Sequence, residues 1–192
     1  KEKFKEELAK LSNDIIIEQK AKDDLERQGI MLSGMILSAL TQYFGSFKVV
    51  SAEEELKTPI DETGFDFKGY VDLILQTDDG KYHIIDWKTC SWGWDMEKKN
   101  DPMTNYQLTL YKRFFGIIKG VDPKQIETHF ALLKRTAKKD NVELFRITSG
   151  PKKIENALKI LNNAVHNIST NNFPKNRLNC KNCEFYKTED CP

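Results

Sequence analysis

Apolar residues along this chain recur at two spacings, one helical and one extended. In residues 2 to about 27, Phe4, Leu8, Leu11, Ile15 and Leu25 fall at helix-like intervals among charged residues. Residues 30–44 carry a denser apolar pattern, which predicts a helix packed on a sheet. Residues 47–56 read as a first strand. Two short apolar strands follow, 67–74 and 82–89, separated by Thr77-Asp78-Asp79-Gly80, a strong hairpin turn signal. Residues 91–105 read as a loop holding Trp92, Trp94 and Pro102, and residues 103–118 as a helix. Residues 126–134 and 142–148 predict two more strands, joined by the basic turn around Ala137-Lys138-Lys139-Asp140. Pro151 suits the first turn of a helix running to about residue 168, and Asn171-Asn172-Phe173-Pro174 ends it.

Composition narrows this pattern. A chain of 192 residues, 31% charged and 39% hydrophobic, suits one globular domain with a single core. The expected organisation is one domain over residues 1–192, with a helical segment to about residue 28 and a cysteine-containing tail from about residue 171. No apolar run approaches the roughly 20 residues that cross a membrane. With no signal peptide visible, the expected location is cytoplasmic. The net charge of +1 argues neither for nor against a polyanionic partner. Lys98-Lys99, Lys112-Arg113, Lys134-Arg135, Lys138-Lys139 and Lys152-Lys153 are local basic candidates, each most simply a solvated face.

Candidate chemistry sits in the hairpin. Folding the chain at Thr77–Gly80 sets Asp72 opposite Asp86, within about one residue of register. Side chains alternate along a strand, so Asp86 and Lys88 share a face. Two carboxylates and an amine then converge, the minimum equipment for metal-assisted cleavage of a phosphodiester. Mg²⁺ and Mn²⁺ are hard ions that take carboxylate oxygens and keep several waters. Such an ion acidifies a bound water and neutralises phosphate charge. A neighbouring lysine orients the attacking water or stabilises the developing charge. An acid-x-Lys triplet alone means little here, because Glu18-Gln19-Lys20, Asp79-Gly80-Lys81, Glu97-Lys98-Lys99 and Asp122-Pro123-Lys124 also match. Only Asp86-Trp87-Lys88 ends an apolar strand and faces another aspartate.

Gly69-Tyr70-Val71-Asp72, Asp86-Trp87-Lys88 and Gln107-Leu108-Thr109-Leu110-Tyr111 occur in the order and spacing of the PD-(D/E)xK nucleases. The chain resembles the RecB-type branch of that family, which includes CRISPR-adaptation and phage exonucleases. The resemblance covers residues 29–118 well and extends more loosely to the C-terminus. It implies an α/β, restriction-endonuclease-like core with a central mixed β-sheet flanked by helices. It also implies a Mg²⁺- or Mn²⁺-dependent deoxyribonuclease, with Asp72, Asp86 and Lys88 catalytic and Asp72 and Asp86 binding metal. Gln107 and Tyr111, one helical turn apart, then position DNA, with Lys112 and Arg113 beside them. The implied substrate is single-stranded DNA or duplex ends, cut exonucleolytically, and the implied partners are helicases or other replication and recombination proteins. A structure-specific endonuclease and a non-cutting module that binds DNA or a protein are the alternatives.

Departures from the pattern carry expectations of their own. The branch places a metal-ligating histidine four residues after a glycine on the first core helix; here Gly29 leads to Ser33. Glu55 is the candidate substitute ligand, and a solvating strand residue is its alternative. Trp92 and Trp94 either stack on bases or cover the core. Cys180, Cys183 and Cys191 resemble the ligand set of a [4Fe-4S] cluster in some relatives, with no upstream cysteine before Cys90 to complete it. Their alternatives are a Zn²⁺ site completed by a histidine or free thiols. His83, His129 and His166 read as structural unless one completes such a cysteine site. By alternation, His83 points away from Asp86.

Overall fold

The structure, a computed structural model, describes residues 2–10, 18–60, 63–174, 180, 183–189 and 191. The chain forms two compact units, Lys1–Ala157 and Leu158–Pro192.

The first unit is built on one sheet. Helix α1 (Glu2–Ala9) and helix α2 (Gln19–Phe44) precede strands β1 (Phe47–Pro59), β2 (Asp66–Thr77) and β3 (Tyr82–Cys90). Helices α3 (Met96–Asn100) and α4 (Pro102–Lys119) lead to β4 (Ile126–Lys134) and β5 (Val142–Ile147). Helix α5 (Pro151–Ser169) begins in this unit. Spatial order follows chain order, β1-β2-β3-β4-β5. All neighbours are antiparallel except β3 and β4, which run parallel. A parallel pair needs a long crossover, and α3 and α4 supply it.

Helix α2 differs from the sequence expectation. It runs unbroken through Gly29, because a single helical glycine costs only about 1 kcal/mol and the apolar side chains beyond it gain more by burial. Leu40 is buried with Leu75, Ile85 and Ala131, and Ile36, Phe44, Leu73 and Trp87 pack around them. Of the positions expected to begin this helical run, Leu11 and Ile15 lie outside the described residues.

Helix α4 covers the opposite face of the sheet and is fixed at both ends. The Asp101 carboxylate accepts from the backbone N–H of Met103 and Thr104, and Pro102 occupies the first turn. Gly120 closes it with φ 64° and donates its N–H to the carbonyls of Gly116 and Ile117. Leu108, Tyr111, Phe114 and Phe115 are buried, the i, i+3, i+4 stripe of an amphipathic helix.

The β1–β2 ribbon outruns β3. β1 pairs with β2 from Phe47↔Thr77 to Pro59↔Asp66, with a bulge between Val49 and Ser51. β3 pairs with β2 only from Gln76↔Tyr82 to Leu73↔Ile85. The ladder therefore stops one position short of Asp72 and Asp86, and β2 diverges from β3 at the first aspartate.

The segment expected to be loop contains α3 as well. Trp94 packs its ring on Phe130 at 5.1 Å between centroids, with the Lys98 ammonium over the Trp94 ring at 5.0 Å from its centroid. Trp92 is exposed. Trp94 thus covers the core, while Trp92 faces solvent.

The second unit holds the remainder of α5 and the tail, where a domain tail was expected only from about residue 171. Within it, Cys183 N–H donates to the Cys180 carbonyl at 3.1 Å, and Lys187 N–H donates to the Cys191 carbonyl at 3.0 Å. These turns bend the cysteine segment tightly. Cys183 and Cys191 are free thiols. Among the described residues, the three tail sulfurs do not form a group within reach of one ion.

Candidate active site

The end of the β2–β3 ladder builds the site. Where β2 leaves β3, the N–H of Trp87 has no strand carbonyl opposite it. The Asp72 carboxylate takes that place: its Oδ2 accepts from Trp87 N–H at 2.7 Å. This charge-assisted bond fixes the Asp72 side chain against the strand that carries Asp86. One oxygen of Asp72 is engaged there and the other is left for a ligand. Trp87 thus contributes its backbone N–H to the site.

Asp86 is buried, only 3% exposed. Burial pushes its carboxyl above the usual aspartate range, the Lys88 ammonium pulls it back, and the Asp72 charge pushes it up again. Lys88 Nζ stands 2.8 Å from Asp86 Oδ2. That contact lies outside hydrogen-bond angles, so Oδ2 is a buried oxygen with no hydrogen bond. A buried carboxylate oxygen needs a counter-charge; the Lys88 ammonium supplies one here, and a metal ion would share the same oxygen.

Lys88 is held in turn from α4. Its Nζ donates to Gln107 Oε1 at 3.0 Å, and Gln107 Nε2 donates to the Tyr111 hydroxyl at 3.1 Å. The Phe130 ring lies under the ammonium at 5.8 Å. Tyr111 is itself positioned by Gly69. A Cβ at residue 69 would come 2.6 Å from Tyr111 Cε1, a distance no real contact tolerates. The glycine before the aspartate therefore has a steric reason. It leaves room for the tyrosine ring against β2, at the start of the Tyr111–Gln107–Lys88 relay.

Other sequence candidates stand apart. Glu55 accepts from the Tyr70 hydroxyl at 2.6 Å and faces Lys68 at 3.5 Å. It is exposed on the β1–β2 ribbon and, among the described residues, joins none of the contacts among Asp72, Asp86 and Lys88. Ser33 is exposed on α2 and donates back to the Ile30 carbonyl at 2.9 Å. Arg113 is exposed, and Lys112 is half-buried. Burial, then the charge of Arg146, holds the Lys112 ammonium below its usual pKa. A cavity of about 550 Å³ opens elsewhere, over His83, Glu127 and His129. The Asp72–Asp86 site is not part of it.

The donor set fits a divalent cation. Asp72 offers a free oxygen, Asp86 offers a buried oxygen without a hydrogen bond, and hard carboxylate oxygens are what Mg²⁺ and Mn²⁺ bind.

With this geometry established, comparison with known proteins identifies the family. The profile of the PD-(D/E)XK nuclease superfamily matches residues 1–188. The chain belongs to that superfamily. No curated protein sequence matches it. Among solved structures, a proposed exonuclease from Eubacterium rectale superposes with a TM-score of 0.56 at 12% identity, over 94% of this chain and 64% of that one. The nuclease thus spans less than two thirds of that protein's length, and the likeness is one of fold. SSO0001 superposes with a TM-score of 0.48 at 19% identity, over 96% of this chain and 90% of that one. The α/β, restriction-endonuclease-like reading of the sheet holds, with a five-stranded mixed sheet between helices. The superfamily is one of nucleases, and its members generally use divalent metals. Among the described residues, no helix is long and apolar enough to cross a membrane.

Proposed function

We propose that this nuclease hydrolyses DNA phosphodiester bonds with Mg²⁺ or Mn²⁺ at Asp72 and Asp86, acting as an exonuclease on single strands or duplex ends. The observation that carries the reading is the pairing of a fixed Asp72 with the buried carboxylate of Asp86, whose Oδ2 lies 2.8 Å from the Lys88 ammonium.

When bound, the metal supplies an acidified water and a counter-charge for the phosphate. The chain's own residues do the rest. Asp72 and Asp86 hold the site's negative charge in place, Asp72 through the Trp87 N–H. Lys88 Nζ orients the attacking water and donates to the non-bridging oxygens as charge builds on them. Gln107 and Tyr111 keep Lys88 aimed and border the strand to be cut. Arg113 and the exposed Trp92 add a phosphate contact and a stacking surface outside the reacting groups. The exonuclease mode rests on the motif resemblance, and the Eubacterium rectale protein's description agrees with it.

Cleavage of end-labelled DNA tests the reading. Shortening of linear strands that requires Mg²⁺ or Mn²⁺ and disappears in Lys88→Ala supports it. Nicking of circular single strands would move the assignment to an endonuclease. One observation favours the module that binds without cutting: Ser33 turns its hydroxyl into its own helix, leaving the family's histidine position without a ligand. Calorimetry with Mn²⁺ separates that case, because a module without a functional metal centre has no need to bind the ion at Asp72 and Asp86.

A further inference from the structure

Three side chains converge on the sheet face away from Asp86. His83 lies on β3, and Glu127 and His129 lie on β4. His83 pairs across the parallel ladder with Glu127, and alternation returns His129 to the same face two residues later. His83 Nδ1 is 3.1 Å from His129 Nε2. Glu127 Oε2 is 3.9 Å from the first nitrogen and 4.0 Å from the second. Two nitrogens on one tetrahedral ion, each about 2.0–2.1 Å from it, stand about 3.3 Å apart. The histidine pair is already at that spacing, and the carboxylate needs a shift of under about 1 Å to complete a face.

The surroundings orient each donor. Thr77 Oγ1 is 2.5 Å from Asp79 Oδ1 and donates to it, so it is an acceptor toward His83 Nε2 at 3.0 Å. His83 then carries its proton on Nε2 and keeps its Nδ1 lone pair facing His129 and Glu127, the outer-shell arrangement of a metal-binding histidine. Glu127 divides its oxygens: Oε1 faces Arg146 at 3.3 Å and Lys81 at 3.7 Å, while Oε2 is turned to the imidazoles. His129 is 1% exposed, and its Nδ1 has no hydrogen-bond partner. The bond to His83 uses one nitrogen of His129 and leaves the other unpaired in the fold. Burial keeps both imidazoles neutral near pH 7, the form that ligates. The cavity of about 550 Å³ opens over the cluster and leaves room for a water ligand.

We propose that His83 Nδ1, His129 Nε2 and Glu127 Oε2 form a second metal site, for a divalent transition ion of borderline softness such as Zn²⁺, with its fourth position open to the cavity. Two nitrogens and one oxygen suit Zn²⁺ and its neighbours, whereas the carboxylate pair at Asp72 and Asp86 suits hard ions. The two centres lie on opposite faces of β3, with donors three residues apart along it. Bound metal ties β3 to β4, and through the Glu127–Arg146 pair reaches β5. This site does not depend on the cleavage reading.

The test uses the full chain with Cys180, Cys183 and Cys191 replaced by Ser, so that tail thiolates cannot bind the probe. Excess Mg²⁺ occupies the carboxylate pair. Zn²⁺ titrated by calorimetry is expected to bind at one equivalent and to raise the Tm. His129→Gln and Glu127→Gln are each expected to weaken binding at least about tenfold. Co²⁺ in the parent protein is expected to give visible bands of a nitrogen- and oxygen-ligated tetrahedral site, and this measurement stands if either variant fails to fold. Absence of one-equivalent Zn²⁺ binding, absence of the Co²⁺ bands, or binding that both folded variants leave unchanged would overturn the proposal.

Discussion

Gly69 on β2 and Tyr111 on α4 are in contact that admits no side chain: a Cβ at residue 69 would sit 2.6 Å from Tyr111 Cε1. Through Tyr111 and Gln107 this contact reaches Lys88, whose ammonium stands beside the paired aspartates. Gly69→Ala is therefore expected to displace the tyrosine ring and loosen the lysine. Overpacking of this kind costs about 1–3 kcal/mol, which denaturant unfolding will show. Cleavage rate should fall by more than the fraction unfolded accounts for, and an equal loss of both would mean that the relay does not matter.

Lys88 should be essential and its supports only helpful. Removing a donor aimed at developing charge lowers kcat by about 10²–10³-fold, so Lys88→Ala should lose at least that much. Gln107→Ala removes one hydrogen bond to a charged group, worth about 1.5–3 kcal/mol, and should slow cleavage by about tenfold or more while leaving it measurable. Single-turnover rates on one substrate check the order. Gln107→Ala as inactive as Lys88→Ala would assign the glutamine a direct role.

Asp86→Asn should separate stability from activity. Burial raises the Asp86 carboxyl above its unfolded value. For an acid with a raised folded pKa, the unfolded state binds fewer protons across the window, so stability falls as pH rises through the folded value. At pH 7 the buried charge is therefore a net burden when no metal is bound. In chelator, Asp86→Asn is expected to melt above the wild type, and in Mg²⁺ to be inactive. A lower Tm in chelator would show that the Lys88 pair outweighs desolvation.

Acid should destabilise the metal-free protein through His129. Burial, together with the His83 and Arg146 charges, lowers its pKa from 6.5 to about 3. The unfolded chain takes up a proton below about pH 6.5 that the folded chain refuses until about pH 3, so stability falls as pH drops through that window. One such proton amounts to about 1.4 kcal/mol per pH unit. Urea unfolding between pH 7 and pH 4 is expected to show this extra slope in the wild type and to lose it in His129→Gln. Equal slopes would place the acid sensitivity elsewhere.

Much of this fold is written in short-range patterns. The Thr77–Gly80 turn fixes the β2–β3 register by itself, and that register, continued by one position, sets Asp72 opposite Asp86. Helix α4 is announced by Asp101-Pro102 at one end and Gly120 at the other. Long-range geometry was not legible. The motif glycine is visible in sequence, but its reason lies 42 residues away, in the ring of Tyr111. Nothing local says that β2 leaves β3 at Asp72 and frees the Trp87 N–H. Glu55 looked like a ligand by position, yet its cross-strand partner Tyr70 claims its carboxylate. His83 and His129 looked structural because they are 46 residues apart, and only the parallel β3–β4 register brings them together with Glu127.

The central claim is that Asp72, Asp86 and Lys88 form a metal-dependent centre for cutting DNA from its ends. The most direct measurement is a gel assay on end-labelled linear and circular single-stranded DNA. Wild type and Lys88→Ala are compared in Mn²⁺, in Mg²⁺ and in EDTA. Progressive shortening of the linear strand alone, dependent on metal and absent in Lys88→Ala, is the predicted result. Metal-dependent shortening that persists undiminished in Lys88→Ala, or DNA left intact by the wild type under every condition, would contradict it.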